Sequence, residues 1–174
     1  MGERYPGKCV KAGRIGNIDP GECVEYRNVV LVCGTNDLRP ENSPNIPKLV
    51  DLMISKASHI CTLNPKASVF LMPVLPTRNL NMNRNIMTFN RAIFHWVEQK
   101  QYSITMPNVS SFLDNRSLLA SPLTRGGDSI HLGTRGLCKF VTLIKDEIYR
   151  NFNFLRQQNR AQKTRRVVTG RPPV

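Results

Sequence analysis

The sequence predicts an α/β protein in which a parallel sheet carries helices on both faces. Two apolar runs rich in β-branched residues, 28–33 and 67–72, have the continuous pattern of strands buried on both faces. The segment between them instead places its apolar residues on one face at the 3.6-residue period of a helix. Alternating strands and helices imply right-handed crossovers, and these predict that the strands run parallel.

The first predicted helix, Ile46–Leu63, lies between the two clearest strands. The strand before it ends at Gly34, and the strand after it stops at Pro73. Asn45 can cap the helix because its side chain can accept a hydrogen bond from the first turn. Pro47 suits the same turn, where its missing N–H costs nothing.

The later elements follow from the same patterns. Helical periodicity predicts a second helix at Arg84–Lys100 and a third that starts near Thr134. Weaker strands are predicted near Lys8–Ala12 and around Ile104 or Val109–Leu113.

The chain of 174 residues suits one ordinary domain, predicted at 1–152, followed by a basic disordered tail at 153–174. The formal net charge is +13, and no acidic residue follows Glu147. Such a tail can hold RNA or DNA by neutralising phosphates, or it can be a solvated extension that aids solubility. After Glu147, seven basic residues give the end of the chain a charge of +7: Arg150, Arg156, Arg160, Lys163, Arg165, Arg166 and Arg171.

The sequence also bears on whether the protein is membrane-bound, secreted or metal-binding. No apolar run has the length of a membrane span, and the first residues do not resemble a secretion signal, so an intracellular location is expected, cytoplasmic or nuclear. The cysteines form no CxxC pair and no metal-ligand spacing, which predicts reduced structural thiols. No metal and no cofactor are expected. The five are Cys9, Cys23, Cys33, Cys61 and Cys138.

Two short motifs carry candidate chemistry. Gly34-Thr35-Asn36-Asp37 leaves the first clear strand, and Gly127-Asp128-Ser129-Ile130-His131 lies in the loop before the last helix. Loops at the carboxyl ends of parallel strands are where α/β proteins collect functional residues. Each motif alone also fits an ordinary surface turn or helix cap.

Acyl transfer explains why these residue types occur together. His131 is suited to act as a general base, and Asp128 can accept from its ring and fix the tautomer. Asn36 can donate its amide N–H to a developing oxyanion, with the backbone N–H of Gly13 as a second donor.

Phe89-Asn90 lies on the helix between the two motifs, and Gly136 opens the last helix. With these residues, the order and spacing of the motifs resemble those of the SGNH (GDSL-type) hydrolase superfamily. The resemblance covers about residues 8–150. It implies a three-layer α/β/α hydrolase that cleaves esters, thioesters or acetylated sugars without a metal. It also implies the roles given above for Gly13, Asn36, Asp128 and His131. The segment Val29–Arg39 is similar, more narrowly, to esterase-like domains associated with LINE-type retrotransposons.

One block of the superfamily is missing from this sequence. Its Gly-Asp-Ser turn, which carries the nucleophile after the first central strand, would lie before Gly13, but no serine precedes Ser43. The chain can be an N-terminally truncated copy, a pseudo-enzyme, or an enzyme whose nucleophile lies elsewhere, with Ser129 as a candidate. The sequence therefore predicts an esterase-like domain that lacks its first central strand and its serine. An ester substrate is expected only if the complete parent is active; the rival interpretation is a nucleic-acid-binding module that uses the basic tail.

Overall fold

A computed structural model describes residues 13–99, 103–126 and 130–169, with side chains up to position 157 except 155. Its sheet has three strands, β1 (Asn28–Leu31), β2 (Ser68–Leu71) and β3 (Ile104–Thr105), in the order β1-β2-β3. Both pairings are parallel, and helices flank the sheet. The predicted α/β class with a parallel sheet is confirmed. The strand predicted at Lys8–Ala12 lies outside the described residues.

The middle strand explains the strength of the sequence signal. All four residues of β2 are buried, and Val69 and Phe70 are almost completely inaccessible to solvent. A strand buried on both faces needs apolar residues at consecutive positions. Among the described strands, β1 pairs only with β2, and its first residue, Asn28, is exposed.

Two helices pack on the sheet and on each other. Helix α1 spans Ile46–Leu63, as the sequence predicts, and Asn45 Oδ1 accepts from Lys48 N at 3.1 Å to cap it. Helix α2 spans Leu80–Glu98 and so begins earlier than the predicted Arg84. The reason is a second asparagine cap, because Asn79 accepts from the backbone N–H groups of both residues 81 and 82.

The last helix, α3, spans Thr134–Thr169 and continues well past the predicted boundary near Asn153. The structure therefore differs from the predicted disordered tail in giving a helical backbone to residues 153–169. Fading apolar periodicity suggested an end, but neither glycine nor proline occurs between Gly136 and Gly170. The segment is instead rich in Arg, Gln and Lys, which have high helix propensity.

Two apolar clusters hold the elements together. The larger lies between the sheet, α1 and α2. The smaller is built on Phe112, Leu119 and Leu123, with Phe140 and Leu143 of α3 packed against it. The rings of Phe112 and Phe140 meet edge to face, with centroids 6.1 Å apart. This second cluster fixes the start of α3 and, with it, the loop that carries His131.

Within the described ranges, none of the helices combines the length and the apolarity that crossing a bilayer requires.

Candidate functional site

The turn after β1 is built around Gly34. Its φ of +105° lies in a region that L side chains rarely adopt, and an added Cβ would stand 3.0 Å from Val74 Cγ2. Its carbonyl accepts from the backbone N–H groups of Asp37 and Leu38, both at 3.0 Å. Glycine is therefore favoured here by its conformation, and an added Cβ would also force Val74 Cγ2 to shift by a few tenths of an ångström.

Two hydrogen bonds join this turn to the segment that begins at Gly13. Asn36 Nδ2 donates to the Gly13 carbonyl at 3.2 Å, and Asp37 Oδ2 accepts from the backbone N–H of Ile15 at 3.1 Å. Asn42 Nδ2 donates to the Asn36 carbonyl at 2.7 Å and holds the turn from its other side. The two residues predicted as oxyanion donors, Asn36 and Gly13, are thus direct neighbours.

The positioning role of Asp37 was missed from the sequence. The motif suggested only a turn or a cap for this residue, whereas its carboxylate reaches across to Ile15, which is completely buried. An aspartate placed just after a strand is a signal for local backbone bonding. The distant partner could not be inferred from that signal.

His131 lies in a loop that the backbone ties down tightly. The His131 carbonyl accepts from Arg125 N at 3.0 Å, and Gly133 N donates to the Leu123 carbonyl at 2.9 Å. Gly136, in the first turn of α3, approaches the same Leu123 carbonyl so closely that a Cβ would overlap it. The imidazole is therefore carried by a loop held on both sides.

One pocket, with a volume of about 350 Å³, brings three predicted site residues together. Gly13, Asn36 and His131 all line it, although Asn36 and His131 are far apart in the sequence. Val74, which follows the end of β2, forms a further wall of the pocket. Most of the remaining lining is apolar and includes Val32, Met72, Leu75, Leu137 and Phe140.

The wall at Val74 is held by a residue of α2. Asn90 accepts from Val74 N at 3.0 Å through Oδ1 and donates to the Val74 carbonyl at 2.8 Å through Nδ2. Both polar groups of this backbone unit are therefore satisfied by one side chain. An asparagine among the apolar residues of an amphipathic helix was the available signal, but it did not identify Val74 as the partner.

The fourth predicted site residue, Asp128, lies outside the described residues, and so does Ser129. No serine lines the pocket among the residues that the structure describes. Thr35 and Cys33 are the lining residues with a hydroxyl or a thiol. Cys33, expected to be a core residue, is half-buried and packs against the core from the pocket wall.

Burial, and secondarily the nearby Asp37 carboxylate, raises the pKa of the Cys33 thiol to about 12. A thiol with this pKa stays protonated near neutral pH, and the thiolate is the nucleophilic form. Cys33 is therefore poorly suited to replace a catalytic serine.

Charged residues do not contribute to the described lining of the pocket. Four arginines of the neighbouring loops and of the start of α2, Arg39, Arg78, Arg84 and Arg125, are absent from this lining. Arg39 lies 3.7 Å from Glu41, and Arg78 lies 3.6 Å from Asp114, so both face other partners. A lining of this kind suits an uncharged ligand.

The remaining histidines lie elsewhere. His59 and His95 are on α1 and α2, and neither lines the pocket. His95 Nδ1 is 3.8 Å from Glu98 Oε2 on an exposed turn. In the part of the chain that the structure describes, no group of three His, Cys, Asp or Glu side chains is arranged to hold a metal ion.

The fold is similar to two solved structures. One is a Streptococcus pneumonia protein provisionally described as a platelet activating factor (TM-score 0.62, 18% identity, covering 76% of this chain and 69% of that chain). The other is a serine-to-alanine variant of an acetyl esterase with an acetate ion (TM-score 0.55, 19% identity, covering 78% and 70%). No protein-family model and no curated protein matches the sequence. The chain thus shares the fold of these two proteins.

Proposed function

We propose that the pocket is an ester-binding site inherited from a serine esterase, and that the 174 residues by themselves bind an ester without hydrolysing it. The observation that carries the proposal is that Gly13, Asn36 and His131 line one pocket. In an active parent, Asn36 and the Gly13 N–H would stabilise the oxyanion. His131 would act as the base and Asp128 as its orienting partner.

The hydrogen bond from Asn36 to the Gly13 carbonyl is compatible with this role. A side-chain amide nitrogen carries two N–H groups, so one can hold the Gly13 segment while the other faces a ligand carbonyl. A donor that is fixed before the ligand arrives needs little reorganisation when charge develops.

The walls of the pocket favour an uncharged acyl group. Val32 and Leu137 line the pocket and are 59% and 53% exposed, an unusual position for large apolar side chains. An acyl chain laid against them would remove this surface from water, which stabilises the complex by roughly 25 cal/mol per Å². We therefore propose neutral short-chain carboxylic esters as the class of ligand.

The missing nucleophile is the reason for proposing binding without turnover. Covalent acyl transfer needs a hydroxyl or thiol that a base can activate. No serine precedes Ser43 in the sequence, and the Cys33 thiol is held protonated by its raised pKa. Both a truncated copy and a pseudo-enzyme are compatible with this proposal, as is the narrower kinship with retrotransposon-associated esterase domains.

A fluorophosphonate probe and a chromogenic acetyl ester test the proposal together. The 174-residue chain should show no labelling and no turnover that depends on His131. Any background signal should therefore be the same in the unmodified chain and in His131→Ala. Phenyl butyrate should nevertheless bind, with shifts in the backbone amide signals of Gly34 and Asn36. Labelling at Ser129, or ester turnover lost in Ser129→Ala, would overturn the proposal; unperturbed signals at both amides would also contradict it.

The second candidate function is nucleic-acid binding through the basic end of the chain. What favours it is the helical backbone of residues 153–169, which gives the basic residues of α3 a regular spacing. To test it, the affinity of the chain for an oligonucleotide is measured at increasing salt concentration. The affinity should fall steeply as salt is added. Binding that is absent or insensitive to salt would count against it.

A further inference from the structure

Helix α3 presents a distinct solvent face near the end of the domain. Its packed side includes Phe140, Leu143 and the buried Glu147. The opposite side carries Lys145, Tyr149, Phe152 and Arg156, all exposed and spaced by four, three and four residues. Residues at these spacings are neighbours on a helix surface. These four residues are called the α3 stripe below.

The aromatic members of the α3 stripe are unusually open to solvent. Tyr149 is 71% exposed and Phe152 is 59% exposed. Both lie on the side opposite the residues that pack on the domain, so the described core does not account for them. Exposed aromatic rings on a helix are suited to stacking with a flat partner.

The charge along this helix is one-sided. Glu147, one of the two acids of the helix, pairs with Arg150 through a contact of 2.6 Å on the packed side. The other acid, Asp146, is exposed and precedes Tyr149 by three residues. No acid follows in the sequence, and positions 160 and 163 continue the four-three spacing with Arg and Lys. In the sequence, every charged residue after Glu147 is therefore basic.

We propose that the α3 stripe binds single-stranded nucleic acid. Lys145 and Arg156 contact phosphates, and unpaired bases stack on Tyr149 and Phe152. Aromatic rings flanked by cations suit a single strand, because its bases expose faces that a duplex hides. The inference rests on the second candidate function and does not depend on the pocket. From residue 145 to residue 156 the stripe is about 16 Å long at 1.5 Å per residue.

A membrane surface fits the stripe less well. A helix that lies in a membrane buries a broad apolar face. Here two rings are bracketed by cations on the same face, and the following spaced positions are also cationic. The stripe thus lacks the continuous apolar area that insertion needs.

Fluorescence anisotropy on the full 174-residue chain tests the proposal. The probes are labelled oligouridylate and oligothymidylate of about 12 nucleotides, within the usual site size for single-strand binding folds. Both should bind more tightly than a duplex of the same length. Tyr149→Ala and Phe152→Ala should each weaken binding at least fivefold, since stacking contributes about 1–3 kcal/mol per base and 1.4 kcal/mol is a tenfold change.

The charged members have a separate signature. Lys145→Gln with Arg156→Gln should reduce the slope of log K against log salt by about 1.4, because each phosphate contact on a single strand contributes about 0.7. Phe94→Ala and Arg91→Gln on α2 are matched controls. Both residues are exposed and belong to α2 rather than to α3, so these variants should bind normally.

Three outcomes would overturn the proposal. If Tyr149→Ala and Phe152→Ala bound the single strand as tightly as the unmodified chain does, charge alone would account for the binding. Tighter binding to the duplex would exclude base stacking. Binding to phosphatidylserine vesicles, with none to either single strand, would assign the stripe to membranes. Ester binding by the pocket is measured separately and does not change with any of these results.

Discussion

Asn36 and Gly13 lie 23 residues apart in the chain and are joined by a hydrogen bond of 3.2 Å from Nδ2 to the carbonyl oxygen. A second bond, from Ile15 N to Asp37 Oδ2, ties the same two segments together. These two hydrogen bonds therefore hold the turn after β1 against the segment from Gly13. The position of each proposed oxyanion donor depends on the other.

Replacing Asn36 by alanine should weaken ester binding and lower stability by only about 0.5–1.5 kcal/mol, because it also removes the hydrogen bond to the Gly13 carbonyl. The amide contributes one hydrogen bond to the ligand, typically about 0.5–1.5 kcal/mol net, which corresponds to roughly two- to tenfold in affinity. Asn36 is exposed, so little packing is lost. Titration with phenyl butyrate, followed by amide shifts, measures the affinity.

The matched control for this measurement is Asn81→Ala. Asn81 is an exposed asparagine on α2 that does not line the pocket. Its variant should bind phenyl butyrate like the unmodified chain. If Asn36→Ala also bound the ester with unchanged affinity, the proposed donor role would be wrong.

Gly34→Ala should destabilise the fold by about 1–3 kcal/mol. An alanine is strained at this positive φ. Its Cβ would also stand 3.0 Å from Val74 Cγ2, so the side chain of Val74 must shift. Gly126→Ala is the control, because nothing lies within 4 Å of the added methyl group there. Urea unfolding should give a lower midpoint for Gly34→Ala only, and equal midpoints would refute the argument.

Local sequence signals predicted the parts of the fold that depend on local physics. Helix α1 has the predicted bounds because one asparagine cap and one proline mark its start. The start of α2 was misjudged because asparagines at 79, 81, 83 and 85 offer several caps, and the sequence does not say which is used. Helix α3 extends beyond the apolar periodicity because that periodicity measures burial, whereas an exposed helix needs only propensity.

In the candidate site, too, some features could be expected from the sequence and others could not. The exits of parallel strands gather at one edge of the sheet, so Asn36 and His131 could be expected near each other. The supporting contacts of Asp37 and Asn90 could not be expected from sequence. Their partners, Ile15 N and the backbone of Val74, are chosen by tertiary packing.

Asn90→Ala should cost about 1–3 kcal/mol of stability and loosen the pocket wall. It removes both hydrogen bonds to Val74, at 3.0 and 2.8 Å, and leaves a backbone donor and acceptor without their side-chain partner. Thermal unfolding measures the loss, and Asn81→Ala again serves as the control. An Asn90 variant as stable as that control would mean that water replaces the bonds without cost.

Alkaline pH should destabilise the chain through the Cys33 thiol. Burial, with a smaller effect of Asp37, raises the pKa of this thiol from 9.0 to about 12. Below pH 9 both folded and unfolded states keep the proton, so the thiol leaves the free energy of unfolding independent of pH. Between about pH 9 and 12 the unfolded chain loses the proton first. The folded state then binds more protons, and its stability falls as pH rises.

Cys33→Ala isolates this contribution. The unmodified chain should lose stability relative to Cys33→Ala as the pH is raised from 9 toward 11, by up to about 1.4 kcal/mol per pH unit. Some alkaline decline should persist in the variant, because burial also raises the pKa of Cys61. Cys138→Ala, at an exposed position on α3, controls for the loss of a thiol as such. Parallel curves for the unmodified chain and Cys33→Ala would mean that Cys33 ionises as readily in the folded state as in the unfolded chain, and that the pocket wall around it is open to water.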